Sequence, residues 1–306
     1  MRVAVCFACN EAYVPLCKGL VLSLRDTLRL APKGMELSLH FIDIGCSGKS
    51  LDWLHGQSVE THAFSREEHP LLPRQDMLPR YADAQLCRPF LPKIAPGYEL
   101  YVWIDCDIWM QAHDAIPEAV RAAAGFRDKI VICPEYHYGY LGHRNFKMAI
   151  LAQQRWYGGL YNDPELVESL SFSPMYNSGF FAMRGDSSLW RAWAGELAEV
   201  YAGDYSADPS VLHYAEQLGL NRVIHEQGAQ VPLDPIFNYA CGGSAVFLNP
   251  QGKVVVGYPP CGPVKGVHLL AFSLYGKMYL EKGLLYDQGR YLAPEERESL
   301  AALVKR

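Results

Sequence analysis

The chain alternates between short, continuously apolar runs and segments with helical periodicity. Residues 2–8 form an apolar run typical of a buried strand, and leucines recur every fourth position across residues 14–28, which predicts an amphipathic helix. Further strands are predicted at residues 37–44, 58–64 and 99–104, with a helix at 82–91 that Pro92 ends. Strands separated by helical crossovers pair in parallel, so the first half of the chain predicts a mostly parallel sheet.

The second half of the chain has a less regular pattern. Strands are predicted at residues 130–133, 179–183, 222–225, 245–248, 253–256 and 266–271, and helices at 146–154, 189–201, 209–218 and 294–305. No internal repeat or low-complexity linker divides the sequence. We therefore predict one compact α/β domain over residues 1–285 and a C-terminal helix within residues 286–306.

The strand predicted at residues 99–104 ends in two carboxylates, Asp105 and Asp107. Side chains two positions apart in an extended strand point to the same side. They lie at the carboxyl edge of the sheet, where open α/β folds bind ligands. Two unpaired carboxylates on an apolar rim are costly, and a divalent cation that also binds a diphosphate would neutralise them. The alternative is a pair of structural carboxylates satisfied by hydrogen bonds.

Composition narrows the class of protein. The chain has 306 residues, 50% of them hydrophobic and 20% charged, with a net charge of -5. No basic stripe interleaves with aromatic residues, so a nucleic-acid partner is not expected. No apolar run reaches the ~18 residues of a membrane span, and the N-terminal strand lacks the features of a signal peptide. The nine cysteines mostly lie in apolar runs, which favours reduced thiols and a cytoplasmic location.

Several motifs follow one another in a particular order. They are the turn at residues 8–13, the strand end at 40–45, the segment 81–88, Asp105-Cys106-Asp107, Asn177-Ser178-Gly179, Glu216-Gln217, Phe237-Asn238-Tyr239 and His268. Over residues 2 to 280 this order resembles the family 8 glycosyltransferases, retaining enzymes that include bacterial lipopolysaccharide galactosyl- and glucosyltransferases and glycogenin. The resemblance implies a GT-A fold. In that fold, a Rossmann-like nucleotide-sugar half with a mostly parallel mixed sheet (residues 1–110) joins an acceptor and catalytic half (111–285).

The resemblance implies a manganese or magnesium ion bound by Asp105, Asp107 and His268. Such an ion stabilises the charge that develops on a departing nucleoside diphosphate. Mixed carboxylate and imidazole ligands suit manganese better than calcium. Without the resemblance, His268 would be interpreted as a core histidine in the strand at residues 266–272.

The resemblance also implies which residues contact the sugar and the phosphates. Arg88 is expected to bind the nucleotide sugar together with Asp105, because a guanidinium matches diphosphate and hydroxyl acceptors. The alternative for Arg88 is a position on a helix surface. Asn177 and Ser178 are expected to bind the transferred hexose.

Two segments depart from the family pattern. The N-terminal turn lacks the acidic residues that often bind uracil and ribose, and it offers Ala8, Asn10 and Tyr13 instead. An asparagine side chain can bind a uracil edge as donor and acceptor, and Tyr13 can stack on a base. The lysine that binds the diphosphate is displaced along the chain, so Lys277 is the candidate and Lys265 the alternative.

The expected chemistry is transfer of a hexose from a UDP-sugar to a saccharide or cell-surface glycan acceptor with retention of configuration. Glu216 and Gln217 are the candidate catalytic residues, with front-face attack favoured because a neutral amide is a poor nucleophile. Transient attack by Gln217 or a nearby carboxylate is a second route to retention. An inverting GT-A enzyme that uses Asp186 or Asp234 as base, or a nucleotide-sugar-binding protein without turnover, is also compatible with the sequence.

Two further segments bear on the acceptor and on location. Residues 135–143 and 156–161 are rich in aromatics and glycine, and they form either an acceptor wall or a plain aromatic core. Residues 294–306 carry early glutamates, late cations and a narrow apolar stripe, as in a helix that packs on the domain. We therefore expect at most peripheral contact with the inner face of a membrane.

Overall fold

The computed structural model describes residues 1–69, 78, 82–135, 146–203, 205, 209–241, 247–251, 253–256 and 262–269. The predicted C-terminal helix and Lys277 lie outside these residues. Among the helices of the described part, none is long and apolar enough to cross a membrane.

Twelve strands are defined in the described residues. They are β1 (Arg2–Cys9), β2 (Glu36–Asp43), β3 (Val59–Ala63), β4 (Leu100–Ile104), β5 (Ile108–Met110), β6 (Ile130–Pro134), β7 (Tyr176–Arg184), β8 (Gln230–Pro232), β9 (Tyr239–Ala240), β10 (Phe247–Leu248), β11 (Val254–Val255) and β12 (Gly266–His268).

Helices alternate with these strands. The α-helices are α1 (Val14–Ser23), α2 (Arg25–Arg29), α3 (Gly48–Gly56), α4 (Asp83–Leu86), α5 (Leu91–Ile94), α6 (Ala115–Ala124), α7 (Phe146–Leu160), α8 (Pro164–Phe172), α9 (Leu189–Tyr201) and α10 (Ala215–Glu226). Short 3-10 helices are found at Glu11–Tyr13, Arg66–Glu68, Arg88–Phe90, Pro209–His213 and Pro235–Asn238.

The main sheet has seven strands in the order β3-β2-β1-β4-β7-β6-β8. Strands β3, β2, β1 and β4 are parallel, and β6 is parallel to β8, whereas β7 runs antiparallel to both of its neighbours. The predicted α/β class with a mostly parallel mixed sheet is therefore confirmed. A second sheet, with the order β5-β12-β9, begins just after the carboxylate pair.

Both faces of the central strands β1, β4 and β7 are buried. Val3, Val5 and Phe7 of β1 pack on one face in a cluster with α1 and α6, and the alternate residues pack on the other face with α9 and α10. Because successive side chains of a strand point to opposite faces, a strand covered on both sides is apolar throughout. This explains why the continuous runs were recognisable as strands.

Three sequence expectations were wrong in detail. Residues 222–225, predicted as a strand, lie within α10, since a short apolar run is compatible with either element until its packing is known. The helix predicted at 14–28 divides at Leu24 into α1 and α2. The helix predicted at 82–91 divides into α4, the 3-10 helix at Arg88–Phe90 and α5, where Pro92 lies in the first turn rather than ending a helix.

Candidate active site

Two different sheets position the candidate metal ligands. Asp105 and Asp107 lie in the turn between β4 and β5, which is closed by a 3.0 Å hydrogen bond from the Ile108 amide to the Asp105 carbonyl. Strand β12 pairs antiparallel with β5 so that His268 lies opposite Ile108. The Leu269 amide also donates to the Asp107 carbonyl at 3.1 Å. This pairing brings a residue from late in the chain next to the carboxylate pair.

The side chains of Asp105, Asp107 and His268 lie close together as possible metal ligands, and we call these three residues the donor set. One ligand atom from each residue lies within 4.8 Å of the others, and His268 Nε2 is 3.4 Å from Asp107 Oδ1. His268 is 5% exposed, and its Nδ1 has no hydrogen-bond partner among the described residues. Burial lowers the pKa of His268, but the carboxylates of Asp107, Asp105 and Glu135 together outweigh this effect, and the net pKa is raised. Two carboxylates and an imidazole fit a divalent transition metal such as Mn²⁺.

Arg88 is buried beneath this donor set and pairs with two carboxylates. Its Nη2 donates to Asp105 Oδ1 at 2.6 Å, and its Nη1 donates to Glu216 Oε2 at 2.5 Å and to Ser178 Oγ at 2.6 Å. The guanidinium carbon lies 5.0 Å from the centre of the Trp103 ring, whose Nε1 also donates to Asp105 Oδ1. Arg88 is therefore a buried charge partner, and its side chain is not on the surface of a helix.

Glu216 is the most buried carboxylate of this network, at 1% exposure. Burial raises its pKa to about 7, while the Arg88 charge and the Ser178 hydrogen bond act in the opposite direction. Its Oε2 accepts from Ser178 Oγ at 3.0 Å, and its Oε1 has no partner among the described residues. Glu216 is therefore a buried member of this network, although it lies in the first turn of α10.

A second carboxylate, the half-buried Glu135, orients the two candidate amides. Its Oε1 accepts from Asn177 Nδ2 at 2.8 Å and from Gln217 Nε2 at 3.0 Å. The Ser178 amide donates to Gln217 Oε1 at 3.1 Å, which fixes the other end of that side chain. Burial raises the pKa of Glu135, and the two amide donors act against this rise.

The sequence did not single out Glu135, although its position gave a signal. It follows directly after the apolar strand β6, as Asp105 follows β4. An acidic residue directly after an apolar strand of the main sheet was therefore the sequence signal that could have identified Glu135.

Gly179 permits the close approach of β7 to the carboxylate turn. A Cβ atom at this position would lie 2.7 Å from Asp105 Oδ2 and 2.8 Å from Asn177 Oδ1. The Asp105 amide donates to the Gly179 carbonyl at 2.8 Å, which extends the pairing of β4 with β7. The glycine of the Asn-Ser-Gly segment is therefore required by packing around Asp105.

The donor set opens into a cavity of ≈ 810 Å³. Three of the residues predicted to bind the nucleotide, Ala8, Asn10 and Tyr13, line it. The other residues of its wall are Cys9, Ile44, Ala84, Gln85, Arg88, Asp105, Cys106, Asp107, His213, Tyr214 and His268. Asn177, Ser178, Glu216 and Gln217 are not part of this wall. Ser178 and Glu216 are joined to the wall through Arg88, whereas Asn177 and Gln217 bond to Glu135, which does not line the cavity.

The remaining candidates lie elsewhere. Lys265 binds Glu118 at 2.6 Å and Asp114 at 3.2 Å and does not line the cavity. Asp186 pairs with Arg184 at 2.9 Å. Asp234 accepts from the Ile236 amide at 3.0 Å as a helix cap, and neither aspartate lines the cavity.

Of the aromatic segments, residues 136–145 lie outside the described part of the chain. Tyr157 is 1% exposed and belongs to the core. Trp156 packs on Tyr214 with ring centres 4.7 Å apart, and Tyr214 reaches the cavity wall. The described aromatics thus divide between core and cavity.

Comparison with known proteins finds likeness at the level of structure. No family model matches the chain, and no curated protein does. The apo structure of the bifunctional glycosyltransferase WbbM matches with a TM-score of 0.62 and 13% identity, over 97% of this chain and 51% of that one. This chain therefore spans about half the length of WbbM.

Mouse xyloside xylosyltransferase 1 matches with a TM-score of 0.52 and 15% identity, over 87% of this chain and 96% of that one. The galactosyltransferase LgtC matches with 12% identity over 87% of this chain and 86% of that one, at a TM-score of 0.47. The chain has the GT-A fold of glycosyltransferases, as the sequence predicted, and membership of family 8 stays a prediction.

Proposed function

We propose that this chain is a metal-dependent, retaining glycosyltransferase that transfers a hexose from a UDP-sugar to a saccharide or cell-surface glycan acceptor. The observation that carries the proposal is the convergence of Asp105, Asp107 and His268 at the wall of a large cavity in a GT-A fold. WbbM and xyloside xylosyltransferase 1, which share this fold, are glycosyltransferases, and this supports the same class of reaction.

Asp105, Asp107 and His268 would hold a Mn²⁺ or Mg²⁺ ion. When bound, such an ion stabilises the negative charge of a departing diphosphate. The chain's own contribution is to hold the Asp105 carboxylate in place, since Arg88 and Trp103 both bond to Asp105 Oδ1. A fixed ligand geometry avoids reorganisation during the reaction.

The donor nucleotide would occupy the same cavity as the metal. A volume of ≈ 810 Å³ lies within the ~300–1,000 Å³ range of small-molecule sites. Asn10 supplies an amide at the wall, and Tyr13 supplies a ring on which a base can stack. We assign UDP on this chemistry, and Lys277 keeps its predicted role in binding the diphosphate.

Retention is supported by the hydrogen bonds that engage the carboxylates of Glu216 and Glu135. Glu216 is paired with Arg88, and Glu135 accepts from the amides of Asn177 and Gln217, so both carboxylates are engaged as hydrogen-bond acceptors. Gln217 is a neutral amide and a poor nucleophile. In front-face transfer, the bond from the anomeric carbon to the phosphate oxygen breaks, the acceptor oxygen bonds to the same carbon, and the departing phosphate takes the acceptor proton. Asn177, Ser178 and Gln217 would orient the hexose.

Inversion would require a base facing the acceptor. Asp186 and Asp234 are engaged in an ion pair and a helix cap away from the cavity, which favours retention over inversion. The eight cysteines described are free thiols, which supports a cytoplasmic location. There the enzyme would act on an acceptor presented to it, with at most peripheral membrane contact.

The first test measures UDP binding by calorimetry with and without Mn²⁺. We expect binding to require the ion, to be lost in Asp107→Asn and to be retained in Asp52→Asn, which changes an exposed aspartate of α3. UDP affinity that is unchanged in the presence of a chelator would contradict the metal-dependent site.

The second test measures turnover and stereochemistry. An α-linked UDP-hexose should be hydrolysed slowly and transferred to saccharide acceptors, and proton NMR should show an α-linked product. A β-linked product would indicate an inverting enzyme. Tight Mn²⁺-dependent binding without hydrolysis or transfer would indicate a binding protein.

A further inference from the structure

A second cluster of metal-ligating side chains lies on the outer strands of the main sheet. His40 of β2 pairs in register with Glu60 of β3, and His62 follows two positions later, opposite Ile42. The three side chains lie on the sheet face that also carries Ile42 and Phe64. Strand β3 is the outermost strand at this side of the described sheet.

The donor atoms of this cluster are already close together. His40 Nδ1 is 2.9 Å from His62 Nε2 and 3.7 Å from Glu60 Oε2, and one ligand atom from each residue lies within 4.8 Å of the others. His40 is 1% exposed, whereas the Glu60 side chain is 62% exposed. The cluster is therefore anchored in the core and open to solvent on one side.

The environment of His40 prepares it to act as a neutral ligand. Its ring makes an edge contact with Tyr98 at 4.7 Å, and its Nε2 has no partner among the described residues. Burial lowers the pKa of His40 to about 4 and also lowers that of His62. Burial thus favours the uncharged form of both rings, which is the form in which histidine binds metals.

We propose that His40, Glu60 and His62 form a second metal site that takes Zn²⁺ and joins β3 to β2. Two imidazoles and one carboxylate are a zinc ligand set that leaves a position for water, whereas Mg²⁺ and Ca²⁺ prefer oxygen ligands. The site lies away from the reaction. Ile44, the nearest cavity residue of this segment, is four residues from His40, or about 13 Å in extended chain.

The consequence is a metal-dependent stabilisation of the sheet edge. The ligands come from two neighbouring strands, so an ion bound only by the folded chain resists separation of β3 from β2. Residues of this strand pair do not participate in the proposed transfer, so the inference stands independently of the glycosyltransferase assignment.

The test uses the full chain and Zn²⁺ alone as the probe. Zn²⁺ binding is measured by calorimetric titration of wild type, Glu60→Gln and His62→Gln. His55→Gln serves as the control for loss of an exposed histidine. Asp107→Asn serves as the control for Zn²⁺ binding at the Asp105, Asp107 and His268 ligands. The same variants are titrated with Co²⁺, whose visible absorption reports tetrahedral coordination. Circular dichroism without metal checks that each variant is folded.

We expect a Zn²⁺ binding step that weakens by at least ~10-fold in Glu60→Gln and in His62→Gln and persists in both controls. The rise in melting temperature with Zn²⁺ should be smaller in His62→Gln than in His55→Gln, because His62→Gln keeps only the Asp105, Asp107 and His268 ligands. A binding step that persists in both cluster variants and disappears in Asp107→Asn would overturn the proposal, as would the absence of any such step in wild type.

Discussion

Arg88 offers the most direct test of the network beneath the cavity. The substitution Arg88→Met keeps a long apolar stem, but it removes the charge that Asp105 and Glu216 share, together with the donor to Ser178. The variant leaves two carboxylates near each other without a counter-ion, and one of them is 1% exposed.

The expected loss of stability follows from this burial. Removing one partner of a buried ion pair costs about 3–5 kcal/mol, because the other charge remains desolvated. The Asp105 side chain is 23% exposed and can recover part of its hydration. We therefore expect a loss near the lower end of that range, about 3 kcal/mol at pH 8.

The loss should depend on pH in a defined direction. Burial holds the pKa of Glu216 at about 7, above its ordinary value of 4.5, so the native state binds more protons than the unfolded state between these values. Stability contributed by Glu216 is therefore complete below about pH 4.5 and falls as pH rises to about 7. Without Arg88 the pKa of Glu216 rises further, and each additional unit costs about 1.4 kcal/mol at alkaline pH.

Urea unfolding of wild type and Arg88→Met at pH 5 and pH 8 measures this prediction. The difference in unfolding free energy should be larger at pH 8. It should shrink in a Glu216→Gln background, where the unpaired charge is absent. Arg29→Met, which removes an exposed ion pair with Asp26, should change stability little at either pH. A difference below about 1 kcal/mol, or one that does not vary with pH, would refute the interpretation of Arg88 as a buried counter-ion.

Two further substitutions test the packing around the site. Gly179→Ala places a methyl group 2.7 Å from Asp105 Oδ2 and should cost about 1–3 kcal/mol and weaken Mn²⁺-dependent UDP binding. Gly195→Ala in α9, where no described residue lies within 4 Å of the added methyl group, should instead stabilise the protein by up to about 1 kcal/mol in thermal unfolding. Asn221→Ala removes two 2.8 Å hydrogen bonds to the Tyr176 backbone, and the unsatisfied groups should lower the unfolding free energy by about 2–4 kcal/mol. A melting temperature unchanged by Asn221→Ala would show that water replaces these bonds.

The fold could be predicted from the sequence where a strand is apolar along its whole length. Strands β1 and β4 are buried on both faces, and their apolar runs can be recognised in the sequence without knowledge of the strands they pair with. The helix at residues 82–91 was predictable only in outline, because Pro89 and Pro92 each begin a new short turn. A proline at such a position is compatible with both the end and the start of a helix.

The sequence predicted those parts of the candidate site whose residues are close together along the chain, and it missed parts formed by distant residues. Asp105 and Asp107 are two positions apart, so their proximity is local to the chain. They lie in the turn after β4, however, and the periodicity of an extended strand from which we predicted their common direction does not apply there. His268 joins them through the pairing of β12 with β5, and only the resemblance to a family suggested it. Glu135 was missed because its partners, Asn177 and Gln217, are 42 and 82 positions away.

The network around Arg88 joins the two halves of the chain that the sequence distinguished. One guanidinium bonds to Asp105 from the nucleotide half and to Ser178 and Glu216 from the acceptor half. A change at Glu216 therefore alters the position of Asp105 as well as the local chemistry. Loss of activity in Glu216→Gln does not by itself identify a catalytic group. Affinity separates the two effects, since a displaced Asp105 weakens Mn²⁺-dependent UDP binding, whereas a purely chemical role lowers turnover at unchanged affinity.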